Sequence, residues 1–193
     1  MIKIIQYEKD LLKKIYNKKE NENILERKVI KIINDVKKKG DKSVFDYTKK
    51  IDKIKLNKKT IKVSKKEIKI AYKKVSKEKI LAIKRGIKRI KKFTESQAPS
   101  EFFKEFGKGI RLGQIIRPVE KVGVYVPGGT YPLVSSVLMT VIPAQVAGCE
   151  KIVMCSPPKK DKNNKVTINE NILVAADMLG ITEIFKVGGA QAI

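Results

Sequence analysis

Apolar residues in the first hundred positions recur at helical spacing. Leu25, Val29, Ile32, Ile33 and Val36 share one face of a helix that should stop at Gly40, and Asp41 is placed to cap a second, shorter helix. Ile61–Lys62–Val63 alternates as a short strand does. Ser64–Lys65–Lys66–Glu67 then has the spacing with which a serine oxygen and a glutamate carboxylate satisfy each other's backbone N–H groups, so a helix should begin there. A further helix is predicted from Ser76 to just before Pro99, with Ile80, Ile83, Ile87 and Ile90 as its seam. Two heptads are too few for a coiled coil, so that seam should pack on the chain's own core or on a partner subunit.

After Pro99–Ser100 the lysine runs stop, glycine becomes frequent and the pattern changes. Lys121 to Val126 is a short β-branched run expected to be a strand buried on both faces. Leu133 to Gly148, apolar almost all round, predicts a buried helix that Pro143 should kink or restart. A second strand is predicted over Lys151 to Cys155, followed by a polar loop from Pro157 to Val166. Thr167–Ile168–Asn169–Glu170 repeats the capping-box spacing ahead of a stripe of Ile168, Ile172, Ala176 and Leu179 closed by Gly180, and Glu183 to Val187 is a third strand. Strand, helix, strand, helix, strand is the order of a parallel sheet with right-handed crossovers. The fold class is therefore α/β: an incomplete Rossmann-like parallel sheet over 100–193, preceded by a Lys-rich, mainly helical region with a short strand over 1–99.

Charge and composition narrow the chemistry. The 193-residue chain has no His and no Trp, which excludes imidazole triads and dyads and removes the commonest metal ligand. The net charge is +24, and +21 of it lies on residues 1–99. Only Arg27, Arg85, Arg89, Arg111 and Arg117 carry guanidinium groups, whereas groove and phosphate readers favour that forked geometry, so solvated helix faces are the preferred explanation and a nucleic-acid or acidic-partner surface is the alternative. Cys149 and Cys155 suit two small buried hydrophobes in a reducing, cytoplasmic compartment. Leu133 to Ala147, the longest apolar stretch, is shorter than a bilayer requires, so no membrane span is expected.

Ligands of open parallel sheets bind beyond the carboxyl ends of the strands. Two predicted strand ends carry glycine pairs, Tyr125–Val126–Pro127–Gly128–Gly129 and Val187–Gly188–Gly189–Ala190–Gln191, and both should lie on one edge. Such glycines either let backbone N–H groups approach a ligand closely or simply make tight turns. Tyr125 can stack on a ring or hydrogen-bond a ribose, or be a satisfied core tyrosine. Gln191 offers a donor and an acceptor to an amide or a hydroxyl, or is an ordinary helix-start residue. Ser135 and Ser136 either face the same crevice or bond back to their own helix. The Gly-x-Gly-x-x-Gly fingerprint and the P-loop are both missing from these segments.

The run IIRPVEKVGVYVPGGTYPLVSSVLMTVIPAQVAGCEKIVMCSPP, with the closing VGGAQAI and the upstream FKEFGKGIRLGQ, closely resembles histidinol dehydrogenase. The resemblance implies a zinc-dependent, NAD-linked homodimer that oxidises L-histidinol to L-histidine through the aldehyde, in two hydride transfers, in the cytoplasm. It also implies two Rossmann-like domains with smaller helical parts. The family's NAD-contacting Tyr and Gln correspond to Tyr125 and Gln191, beside Gly128 and Gly129. Its zinc ligands and catalytic Glu–His pair belong to later segments, so this chain is expected to be an amino-terminal portion with no catalytic or metal-ligating residue of its own, and to turn over no histidinol alone. A structural remnant with an unpaired sheet edge is the remaining alternative.

Overall fold

The computed structural model describes residues 19–128, 132–161 and 163–193. Helix α1 (Lys19–Lys39) meets α2 (Asp41–Ile51) at Gly40, whose φ of 57° suits a residue without Cβ. Gly40 stops the first helix and also caps the second, so Asp41, expected as the cap, is instead the first helical residue and makes no side-chain cap bond. The two helices are tied by Ser43 Oγ donating to the Asp35 carbonyl at 2.9 Å and by Tyr47 Oη donating to Asp35 Oδ2 at 2.6 Å. The apolar stripe of α1 is real, but Leu25, Val29 and Ile33 on it remain exposed.

Ile61 to Val63 forms an isolated antiparallel bridge rather than a strand. Val63 N–H donates to Ile184 and Lys186 N–H donates to Ile61, each at 2.8 Å, so this segment covers the outer edge of the last sheet strand. Helix α3 (Lys65–Lys74) starts with the predicted capping box: Glu67 N–H donates to Ser64 Oγ at 3.3 Å, and Ser64 N–H donates to Glu67 Oε2 at 2.8 Å. Helix α4 (Lys77–Gln97) is capped by Ser76, with Ile83 buried and Ile80, Ile87 and Ile90 packed on the core.

Strands β1 (Phe102–Gly107) and β2 (Ile110–Gln114) form an antiparallel hairpin exposed along its whole length, which the sequence pattern had not marked. The polypeptide then enters the parallel sheet: β3 (Lys121–Tyr125), α5 (Val134–Ala147), β4 (Lys151–Ser156), the small hairpin β5 (Lys159–Lys160) and β6 (Val166–Thr167), α6 (Glu170–Met178), β7 (Glu183–Lys186), and a 3-10 turn at Ala190–Ala192. Strand order is β3-β4-β7, with Tyr125, Cys155 and Phe185 in one cross-strand row.

One face of this sheet is closed. Val124, Met154 and Ile184 point into a core shared with Val137, Val141 and Ile142 of α5 and Ile172 to Ala176 of α6. Tyr125, Val153, Cys155 and Phe185, on the alternate positions, are half-buried. The expectation of a β3 buried on both faces is thus corrected, because β3 lies at a sheet edge and, among the described residues, the core helices pack on its Val124 side. The same core takes in Val63, Ala71, Val75 and Ile83, so it crosses the change of composition at position 99.

Two helix expectations are also corrected. Helix α5 continues through Pro143 without a restart and is half-exposed rather than buried, while α6, expected to carry a single stripe, is buried on every side from Ile172 to Ala176. The α6 cap is Asn169, whose side chain accepts from Asn171 N–H at 2.9 Å; Thr167 lies in β6 and forms no capping box. Cys149 and Cys155 are free and half-buried, and burial pushes the Cys155 thiol up.

Candidate functional site at the carboxyl edge of the sheet

Because β3, β4 and β7 are parallel and in register, the segments after Tyr125, Ser156 and Lys186 emerge on one edge. Val126 to Gly128, Pro157 and Val187 to Gln191 form this rim. Gly129, Thr130 and Tyr131 lie outside the described residues.

The glycines are used for close packing. A Cβ on Gly128 would stand 2.6 Å from Ser156 Oγ and 3.2 Å from Ile172. One on Gly188 would stand 2.7 Å from the Pro157 ring. Both flanking loops therefore lie directly on the Ser156–Pro157 step that ends the central strand. Gly189 has φ of 68°, and a Cβ there would fall 2.7 Å from Gln191 Oε1.

Tyr125 and Gln191, far apart in sequence, converge on Gly189. The Gly189 N–H donates to Tyr125 Oη at 3.3 Å across the end of β4. That bond occupies a lone pair on the phenol and leaves its O–H able to donate. Gln191, 5% exposed, sits in the 3-10 turn beneath α1 and α2, and among the described residues neither its Nε2 nor its Oε1 has a hydrogen-bond partner. Ser156 Oγ, in a residue that is 0% exposed, is also without a partner among the described residues. Buried polar atoms are nearly always paired, so three such atoms at one sheet edge call for an explanation. Ser156 was not singled out from sequence; its place as the last residue before Pro157 at a strand end was the available signal.

Two ammonium groups near the rim are paired within the protein itself. Lys186, nearly fully buried, pairs with Glu67 at 2.8 Å, and Lys159 pairs with Glu170 at 2.9 Å. Burial pushes the Glu67 carboxyl up, but the Lys186 ammonium and the Ser64 donors outweigh it and leave the group below its ordinary value. Ser135 and Ser136 fall in the first turn of α5. Glu101 accepts from Ile116 N–H at 2.9 Å at the base of the β1–β2 hairpin.

The sequence profile of histidinol dehydrogenase matches residues 15–193. The chain belongs to the histidinol dehydrogenase family. It is 44% identical over 198 aligned positions to the histidinol dehydrogenase of Caldanaerobacter subterraneus subsp. tengcongensis, covering 100% of this chain and 45% of that protein. Against the Clostridium acetobutylicum histidinol dehydrogenase it is 46% identical, covering 91% of this chain and 39% of the relative. The crystal structure of histidinol dehydrogenase from Elizabethkingia anophelis superposes with a TM-score of 0.79 at 42% identity, covering 87% of this chain and 37% of that one. The chain thus spans less than half the length of these family members. The α/β fold with its parallel sheet is the family's, and the Lys-rich binding-module alternative is not favoured.

Proposed function

We propose that this chain forms part of a cytoplasmic histidinol dehydrogenase, an NAD-dependent enzyme of histidine biosynthesis that oxidises L-histidinol to L-histidine by way of the aldehyde, and that its sheet edge supplies one wall of the nicotinamide nucleotide site. Homodimeric assembly of the full-length enzyme belongs to the same reading. The observation that carries it is the convergence of Tyr125 and the unpartnered Gln191 amide on Gly189.

NAD, when bound, supplies the hydride acceptor for each oxidation. This chain's residues bind and orient it. Tyr125 Oη, held by the Gly189 N–H, presents its proton to an acceptor on the nucleotide. The Gln191 amide donates from Nε2 and accepts at Oε1, and its burial makes each such bond worth more than at the surface. Gly128 and Gly188 keep the loops low on Ser156–Pro157, so the ligand approaches backbone rather than side chains.

Zinc does not fit the residues at hand. The chain has no His, and among the described residues no group of three or more His, Cys, Asp or Glu is placed to hold a metal ion. This chain brings no imidazole to the proton transfers.

Titration calorimetry with NAD+ tests the reading. The chain should bind NAD+, and Tyr125→Phe and Gln191→Leu should each weaken binding by about tenfold, the worth of one good hydrogen bond. Unaltered affinity in both variants overturns it. Mixed with L-histidinol and NAD+, the 193-residue chain should form no NADH; zinc-dependent NADH formation would overturn that expectation.

A further inference from the structure

Lys186 is the last residue of β7 and, among the described residues, the one charged residue that is buried, at 4% exposure. Like Ile184 it faces the helix-covered side of the sheet, where its Nζ donates to Glu67 Oε1 at 2.8 Å. The other carboxylate oxygen of Glu67 is held in turn by Ser64, accepting from its N–H at 2.8 Å and from its Oγ at 2.9 Å. On the outer edge of β7 the Lys186 N–H donates to the Ile61 carbonyl, also at 2.8 Å. Residues 61–67 of the Lys-rich half therefore grip one strand residue twice, by its backbone and by its charge.

That grip sits one residue before the rim. Val187 is buried, Gly188 lies on the Pro157 ring, and Gly189 turns at φ of 68° with its N–H on Tyr125 Oη. A buried lysine and glutamate give up hydration for their attraction, so the pair adds little stability over apolar side chains of similar size. What it adds is direction, because a charge-assisted bond fixes a geometry in which methylene contacts would allow sliding. The backbone fixed here is the end of β7, and with it the height at which the Gly189 turn meets Tyr125.

We propose that the Glu67–Lys186 pair positions the nucleotide rim, holding β7 so that the Gly189 turn, with Gln191 beyond it, meets Tyr125 in the geometry the ligand requires. Both are positioning residues and neither is assigned a contact with the ligand. The inference rests on the nucleotide-site reading above and extends the supports of that site into the region before position 99.

The test compares the parent chain with Glu67→Gln/Lys186→Met, which removes both charges and keeps a side-chain oxygen for the Ser64 N–H. Two readouts are taken below each protein's thermal midpoint: NAD+ affinity by calorimetry, and the amide proton resonances of Gly189 and Val126 by NMR. Tyr125→Phe marks the shift that loss of the Gly189 bond produces. In the pair variant the Gly189 resonance should move in that same direction, the Val126 resonance, whose N–H donates to the Cys155 carbonyl, should stay, and NAD+ should bind about tenfold more weakly. Ile83→Ala, a core truncation on α4, should lower the midpoint and leave both readouts at parent values. An unmoved Gly189 resonance overturns the inference, as does unchanged affinity of the pair variant for NAD+ when the parent binds it. Equal changes in Ile83→Ala overturn it too, since the pair would then act through stability alone. So does failure of both the pair variant and Glu67→Gln to fold. A Gly189 shift confined to the pair variant, in a chain whose parent binds no NAD+, removes the nucleotide reading and leaves the positioning of the turn standing.

Discussion

Helices α5 and α6 connect successive strands of one sheet and draw on similar residues, yet their burial differs. From Ile172 to Ala176, α6 has no exposed side, whereas α5, apolar nearly throughout, leaves Met139 65% exposed. The difference lies in their neighbours. Helix α6 is enclosed by α3, α4, α5 and the sheet, while α5 has α4 on one flank and open solvent on another. The β1–β2 hairpin extends the contrast, with Phe103 58% exposed beside Phe102 and Phe106. Apolar composition states what a segment can bury; the number of elements around it decides what it does bury.

The contrast can be broken first at the buried ion pair behind the sheet. Lys186→Met leaves Glu67 without its cation and should lower stability by about 3–5 kcal/mol in urea denaturation. The pH dependence has a definite sign. Glu67 sits below its ordinary 4.5 when folded, so its stabilising contribution is complete above that pH and is lost as pH falls through the lower folded value. Acid titration should show the parent losing this contribution while Glu67→Gln, which never has it, shows a shallower decline. Equal acid profiles would contradict the pairing.

Next comes the helix comparison itself. Ile172→Ala removes a fully buried side chain and should cost about 2–5 kcal/mol, whereas Met139→Ala on α5 should stay within about 0.5 kcal/mol. Similar losses at both sites would erase the distinction. A smaller test uses glycines. Gly188→Ala drives a Cβ to 2.7 Å from the Pro157 ring and should destabilise by about 1–3 kcal/mol. Gly123→Ala meets nothing within 4 Å and should be neutral or stabilise by up to about 1 kcal/mol, so the pair should differ in sign. The smallest effect is expected on the hairpin, where Phe103→Thr should shift the thermal midpoint by no more than about 0.5 kcal/mol implies.

What could be read from sequence follows the range of the forces involved. The Ser64 capping box is a four-residue device and was legible as such. So were α4, the three strands of the parallel sheet and the placing of both glycine segments on one edge, because period and punctuation are local. Thr167 to Glu170 has the same spacing as Ser64 to Glu67, yet β6 pairing holds Thr167 and hands the cap to Asn169. The β1–β2 hairpin escaped notice because Phe102–Phe103–Lys104–Glu105–Phe106 does not alternate cleanly. At the candidate site, Tyr125, Gly128 and Gln191 were marked by residue type and position, whereas Ser156 had only its place before Pro157 to mark it, and its burial under Gly128 needed the tertiary structure.

By itself the sequence determined the alternation of strands and helices from Lys121 onward, the lack of His in these 193 residues, and the family motifs, since these depend on residue identity and short-range spacing. Tertiary structure alone decided which apolar helix is enclosed, that Lys186 meets Glu67, and that Tyr125 and Gln191 share Gly189. Those contacts join residues separated by dozens of positions. They arise from strand register and from layers packing against one another, which no local pattern encodes.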